Sequence, residues 1–277
     1  MQKKNKFLYV LFRTFSYDLL FYYTLETMFL TLVKGFGYSE VFLITSIDLA
    51  FVVLLSFPLN FIFKKVSILN RLRLGVLSFV IYIVAFMLCN NVALLCFFVL
   101  FKALGSLLLS VNSTTLLDVI CRNDEANEVS KVEGKASAVF WIFEAIGAIS
   151  LGYLFQVDPY SPYYFCLIGL VIALISLFFF KIPKEDQFVH DIKPQKVIDK
   201  EKSSSGKNMQ KLSLCIVLIG FVFWGIADSL GQTSKVFLQD VGASSVVMGY
   251  IFFGIQLVTA LFNIISNRIE KKLGSAF

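Results

Sequence analysis

The chain has 277 residues, 57% hydrophobic and 16% aromatic, with a formal net charge of +6 and a mean hydropathy of +0.78. That apolar content lies above the roughly 45–50% of a soluble domain, which excludes an ordinary water-soluble globule. Five cysteines (Cys89, Cys96, Cys121, Cys166, Cys215) lack C-x-x-C spacing, and the single His190 lies in a polar stretch, so neither a disulfide framework, a zinc site nor metal catalysis is expected.

A helix needs about 20 apolar residues to cross a bilayer core of roughly 30 Å. That ruler gives eight expected spans, at 8–32, 40–63, 72–89, 92–118, 136–156, 163–181, 212–236 and 245–266. All are expected to be helices, because hydrocarbon offers backbone groups no outside partner. The fold class is therefore an all-α polytopic membrane helical bundle. The basic N-terminus MQKKNKF resembles a signal peptide, but the apolar run behind it carries Arg13, Asp18 and Glu26 and ends without a small-residue cleavage site, so it reads as a retained first span.

Basic residues set the expected orientation. Three lie in the N-terminal tail, four between Lys64 and Arg73, three between Arg122 and Lys135, eight between Lys181 and Lys211, and three from Arg268 onward. Only Arg13, Lys34, Lys102 and Lys235 fall elsewhere, so 21 of the 25 sit on one side, which predicts cytoplasmic termini. Residues 182–211, with Pro183, Pro194 and a Ser-Ser-Ser-Gly run, read as a flexible linker. The expected organisation is a six-helix bundle over 1–181, this linker, and a two-helix segment over 212–277.

Charged side chains stand inside several spans, and each costs about 3 kcal/mol on insertion scales unless it faces a bundle interior or an aqueous cavity. With about 1.5 Å of rise per residue, Asp18 and Lys102 lie roughly 15 Å into their spans and Glu144 roughly 12 Å. Asp48 falls close to the same layer, where alternating-access transporters place substrate and ion sites. Asp18, Tyr22 and Glu26 are spaced four apart, which on a helix gives one polar, aromatic stripe and a candidate cavity wall. Asp228, between Gly225 and Gly231 in the seventh span, is a further candidate for the pathway. The alternative for Lys102 is that it neutralises Asp18 or Asp48 as buried polar glue between helices.

Two segments echo each other. SFPLNFIFKK closes the second span and NIISNRIEKK the eighth, so that Asn60, Lys64 and Lys65 superpose on Asn267, Lys271 and Lys272, with Arg268 beside them. Six spans, a basic linker and a second set that begins alike resemble the major facilitator superfamily. That family's loop after the second span follows a pattern like G-x-L-x-D-R-x-G-R-K. Here Asn60 replaces the acid and only the basic pair Lys64–Lys65 is kept, while the later copy retains Asn267, Arg268, Lys271 and Lys272. LSVNSTTLLDVICRN and the Gly-containing SKVEGKASAVFWIFEAIGAISLGYL, with Asp118, Gly134, Gly147 and Gly152, are similar to a bacterial branch of the family. Lys102 stands near the place where family drug antiporters carry an Arg, but the fifth span lacks their Gly-Pro motif.

The resemblance implies a secondary transporter of a small solute at the cell membrane, working by alternating access with protons as coupling ion, and with efflux favoured over uptake. Asn60, Lys64, Lys65, Asn267, Arg268, Lys271 and Lys272 become candidate gating-loop residues. Twelve spans are usual in the family, so this eight-span chain reads as truncated, and the alternative function is an incomplete fragment or a membrane interaction partner. No cofactor is implied, and no nucleic-acid partner. Without a G-x-x-x-x-G-K-[ST] loop, direct ATP coupling is not expected, and an enzyme acting on lipid lacks a nucleophile with its base.

Overall fold

The computed structural model describes residues 2–17, 19–23, 25–63, 65–122, 124, 128–182, 230–231 and 233–273. Of the expected features, Asp18, Lys64, Asp228, residues 183–211 of the linker and all of the seventh span except 230–231 and 233–236 lie outside those residues. The chain divides into two compact units, Met1–Phe188 with Ala243–Phe277, and Val189–Gly242. In the second unit, residues 233–240 are helical.

In the first unit the helices are α1 (Gln2–Ser16), the single turn α2 (Glu26–Met28) continuing into a π-helical turn (Phe29–Val33), α3 (Tyr38–Ile62), α4 (Ile68–Leu88), α5 (Val92–Cys121), α6 (Glu128–Val157), α7 (Ser161–Phe178) and α8 (Ser245–Leu273). Five of these, α3 to α7, are long and apolar enough to cross a membrane, and α8 carries a shorter apolar run over Ser245–Leu261. This is the all-α polytopic membrane bundle that composition and span length imply.

Polar residues between the apolar runs start the helices. The Ser67 hydroxyl accepts from the Asn70 amide at 3.4 Å to open α4, and Asn91 Oδ1 accepts from Ala93 and Leu94 at 2.8 and 3.2 Å to open α5. These caps satisfy donors that have no partner within the helix. Ahead of α7, Asp158 holds the turn, accepting from the Tyr160 amide and the Ser161 hydroxyl at 3.0 and 3.2 Å.

Packing joins α4 to α5 and α7, α3 to α5, and α1 to α6 and α7. Helix α8 lies antiparallel on α6: the Ser245 hydroxyl donates to the Gly152 carbonyl at 2.8 Å, and farther along α8 Gln256 meets Glu144, eight residues back along α6, at 3.4 Å. Close approach is made possible by absent side chains. A Cβ on Gly152 would stand 2.7 Å from the Ser245 carbonyl oxygen, and one on Gly249 would collide with the Ala148 carbonyl. Small residues at a helix crossing are how membrane bundles gain packing where the apolar solvent supplies no driving force.

The first expected span departs from its reading. A single helix over 8–32 is anticipated, but the helix ends at Ser16 and resumes at Glu26. Within the break Leu19 and Phe21 take φ of 52° and 72°, conformations that cost non-glycine residues about 1–3 kcal/mol each. Residues 19–23 are not helical, so Tyr22 and Glu26 do not share a helical stripe; Asp18 lies outside the described residues.

A broken first segment and a candidate charged site

Three successive residues of the break each engage a different charged group. The Phe21 amide donates to Glu144 Oε2 of α6 at 2.9 Å. The Tyr22 hydroxyl donates to Glu26 Oε1 at 2.6 Å. The Tyr23 ring lies 5.1 Å from the Lys102 ammonium of α5. Opening the helix frees a backbone N–H and lets two neighbouring rings, Tyr22 and Tyr23, both approach the Lys102 ammonium.

Lys102 is the centre of the larger group. Its ammonium pairs with Asp48 Oδ2 of α3 at 2.9 Å, and it also faces the Tyr22 and Tyr82 rings at 5.4 and 5.8 Å. A buried ammonium is retained only when paired and solvated by dipoles, and three aromatic faces with one carboxylate supply both. Tyr22 and Tyr82 are linked hydroxyl to hydroxyl at 2.5 Å. Since Tyr22 gives its proton to Glu26, Tyr82 is the donor in that link, which forms a directed chain from Tyr82 through Tyr22 to Glu26. Tyr163 of α7 closes this side, donating to the Leu25 carbonyl at 3.3 Å, and Phe86 packs against Tyr22 with ring centroids 5.0 Å apart.

The group is buried and holds unused hydrogen-bonding capacity. Glu26, Lys102 and Glu144 are all buried, and Glu26 Oε2 and Asp48 Oδ1 are buried without a hydrogen-bond partner among the described residues. Glu144 joins the break to α8 as well, since Gln256 Nε2 lies 3.4 Å from its Oε1. Beside it, Phe21 rests against Gly147 at a place where any Cβ would clash with the ring. Unfilled acceptor positions next to a cation, aromatic faces and a broken helix suit the binding of a polar group or a proton.

The structure thus brings Tyr22, Glu26, Asp48 and Lys102 together and sets Glu144 next to them across the break. Sequence reasoning misses Tyr82, Tyr163 and Gln256, whose apolar surroundings give no periodic signal. It also misses the Phe21 amide, which becomes a donor only when the helix opens. Of the candidate gating residues, Lys65 is exposed in the turn between α3 and α4. Asn60 lies on α3, and Asn267, Arg268, Lys271 and Lys272 on α8; their side chains lie outside the described residues.

The basic end of the bundle carries a separate set of pairs. Lys6 of α1 contacts Glu128 at 2.8 Å and Asp124 at 3.0 Å, and these two acids hold its ammonium well above the usual lysine range. Arg13 pairs with Glu133 at 3.2 Å while stacking 3.6 Å over the Tyr17 ring, and Tyr9 donates to the same Glu133 at 2.5 Å. These contacts tie the length of α1 to the first turns of α6. At the other end, Lys34 donates to the Met87 carbonyl at 2.6 Å and to Asn90 at 2.8 Å, and partial burial pushes its ammonium down.

No family model matches the chain. It is similar to the uncharacterized MFS-type transporter YxaM of Bacillus subtilis (strain 168), with 25% identity over 214 residues. The match covers 76% of this chain and 51% of that protein, so the chain spans about half the length of the curated relative it matches. Together with the membrane-length helices, this likeness supports a multi-pass membrane protein and a transporter in general terms.

Proposed function

We propose that the chain is a secondary active transporter of a small solute of the major facilitator type, working by alternating access around the Lys102 group and coupled to protons, with efflux favoured over uptake. The observation that carries this is the Asp48–Lys102 pair, its ammonium buried among tyrosines and set against a broken first segment. Discontinuous helices beside mid-membrane charges are where transporters bind substrates and ions.

In the mechanism we put forward, a solute or a proton competes for Asp48. The ammonium of Lys102 then turns to the free oxygen of Glu26 or to the solute, and the Tyr82–Tyr22–Glu26 chain passes the change to the break. Glu144, which holds the Phe21 amide and meets Gln256 of α8, is the point at which that change reaches α6 and α8. Asp18 and Asp228 belong to the same pathway in this reading, and the basic pairs near Lys64 and Lys271 act in gating. Both termini face the cytoplasm, the membrane is the plasma membrane, and the organisation is a six-helix bundle over 1–181, a linker over 182–211 and a second segment over 212–277. The reading includes no enzymatic step.

A second reading is a membrane interaction partner that binds the solute at the same site without transporting it. One experiment addresses both. The purified chain is screened by thermal shift against lipophilic cations and organic anions, and the solute that stabilises it is followed in liposomes under an imposed pH gradient. Gradient-driven flux that D48N abolishes is the expected result. Binding without flux supports the second reading, and flux indifferent to the gradient or to D48N overturns the coupling.

A further inference from the structure

A second cavity lies away from the Lys102 group, at the basic end of the bundle. It is a groove of about 530 Å³ between α1 and α6, with walls that include Val10, Leu11, Phe15, Val139 and Phe143. Lys3, Lys6, Lys131 and Lys135 line it, with Glu128 the one acid among its lining residues. Lys6 and Lys131 share that acid, whereas Lys3 and Lys135 are exposed and have no carboxylate partner among the described residues.

The groove is graded from charge to hydrocarbon. Helices α1 and α6 run parallel, since Lys6 meets Glu128 and Arg13 meets Glu133, pairs separated by 122 and 120 residues. That register sets Thr14 level with Lys135, and eight residues beyond Lys135 on α6 Phe143 reaches back to Phe15, with centroids 5.7 Å apart. Thr14 lines the groove, is buried, and its hydroxyl has no hydrogen-bond partner among the described residues. A molecule lying here meets ammonium groups first, then an unpaired hydroxyl at the level of Lys135, then an apolar wall.

We infer that this groove binds an anionic phospholipid, with its phosphate held by Lys135, Lys3 adding positive charge at the outer end of the groove, its glycerol ester region beside Thr14, and an acyl chain along Phe15, Val139 and Phe143. The charge argument selects the head: two uncompensated ammonium groups near a bilayer surface favour an anionic headgroup by roughly tenfold. The apolar walls select a lipid over a free anion. The site requires only that the bundle sits in a bilayer, so it stands or falls separately from the transport reading.

The test uses the full chain, delipidated in a non-ionic detergent. Its melting midpoint is followed while phosphatidylglycerol, phosphatidylcholine or inorganic phosphate is titrated. Phosphatidylglycerol is expected to raise the midpoint, with half-saturation at a roughly tenfold lower mole fraction than phosphatidylcholine, and the K3A/K135A variant is expected to erase that preference. Equal effects of the two lipids, a shift produced by phosphate alone, or a preference that survives in K3A/K135A would each overturn the assignment. Should the variant prove unstable, native mass spectrometry of the wild-type chain decides: retention of phosphatidylglycerol over phosphatidylcholine supports the site, and indifference refutes it.

Discussion

The first segment and α5 carry ionisable residues into the bundle interior in opposite ways. Helix α5 runs unbroken through 30 residues and delivers its charge on the long side chain of Lys102, which reaches Asp48 without disturbing its own backbone. The first segment opens between Ser16 and Glu26, and part of what it contributes is backbone: the Phe21 amide that meets Glu144. A flexible side chain can seek its partner from within a helix. An acid projecting from a neighbouring helix instead draws a main-chain donor, and a main-chain donor becomes available only where the helical ladder is interrupted.

The largest expected effect comes from α5. K102M leaves the half-buried Asp48 without its cation and removes the charge from three aromatic faces, so it should cost about 3 kcal/mol of stability, the lower end for a broken buried pair. Thermal melting of the purified protein checks this, and D48N/K102M should lose much less than the two single variants together. Additive losses would mean that the pair is not coupled.

On the other side of the comparison, E144A removes the acceptor of the Phe21 amide. A buried donor left unpaired costs about 1–3 kcal/mol. Hydrogen exchange should show faster exchange across residues 19–25 with α5 unaffected. Equal loosening of both regions would show that the break is not held by Glu144.

A smaller effect is expected from Y22F, which cuts the link between Tyr82 and Glu26 but keeps the ring over Lys102. Loss of about 1 kcal/mol is expected, with the Asp48–Lys102 coupling intact in the same double-variant cycle. If that coupling fell as well, the hydroxyl chain and the ion pair would have to be treated as one unit.

Much of this architecture was legible from hydropathy. The expected spans at 40–63 and 92–118 correspond to helices at Tyr38–Ile62 and Val92–Cys121, because apolar length and polar caps such as Asn91 act locally. The pairing of Asp48 with Lys102 was one of two partners that depth alone allowed. The break could not be read, because residues 17–25 contain neither Gly nor Pro. What opens the chain there is tertiary: Glu144 from α6, the clearance at Gly147, and Tyr82 and Tyr163 from two further helices. None of these leaves a mark within the first span itself.

The central claim, that the Lys102 group is a proton-coupled solute site, is tested most directly by flux. The solute selected by the thermal-shift screen is followed in liposomes containing the wild-type chain or D48N, with and without a pH gradient. The account predicts gradient-driven flux in the wild type and none in D48N. Flux of equal size in both proteins, or flux that ignores the gradient, would contradict it.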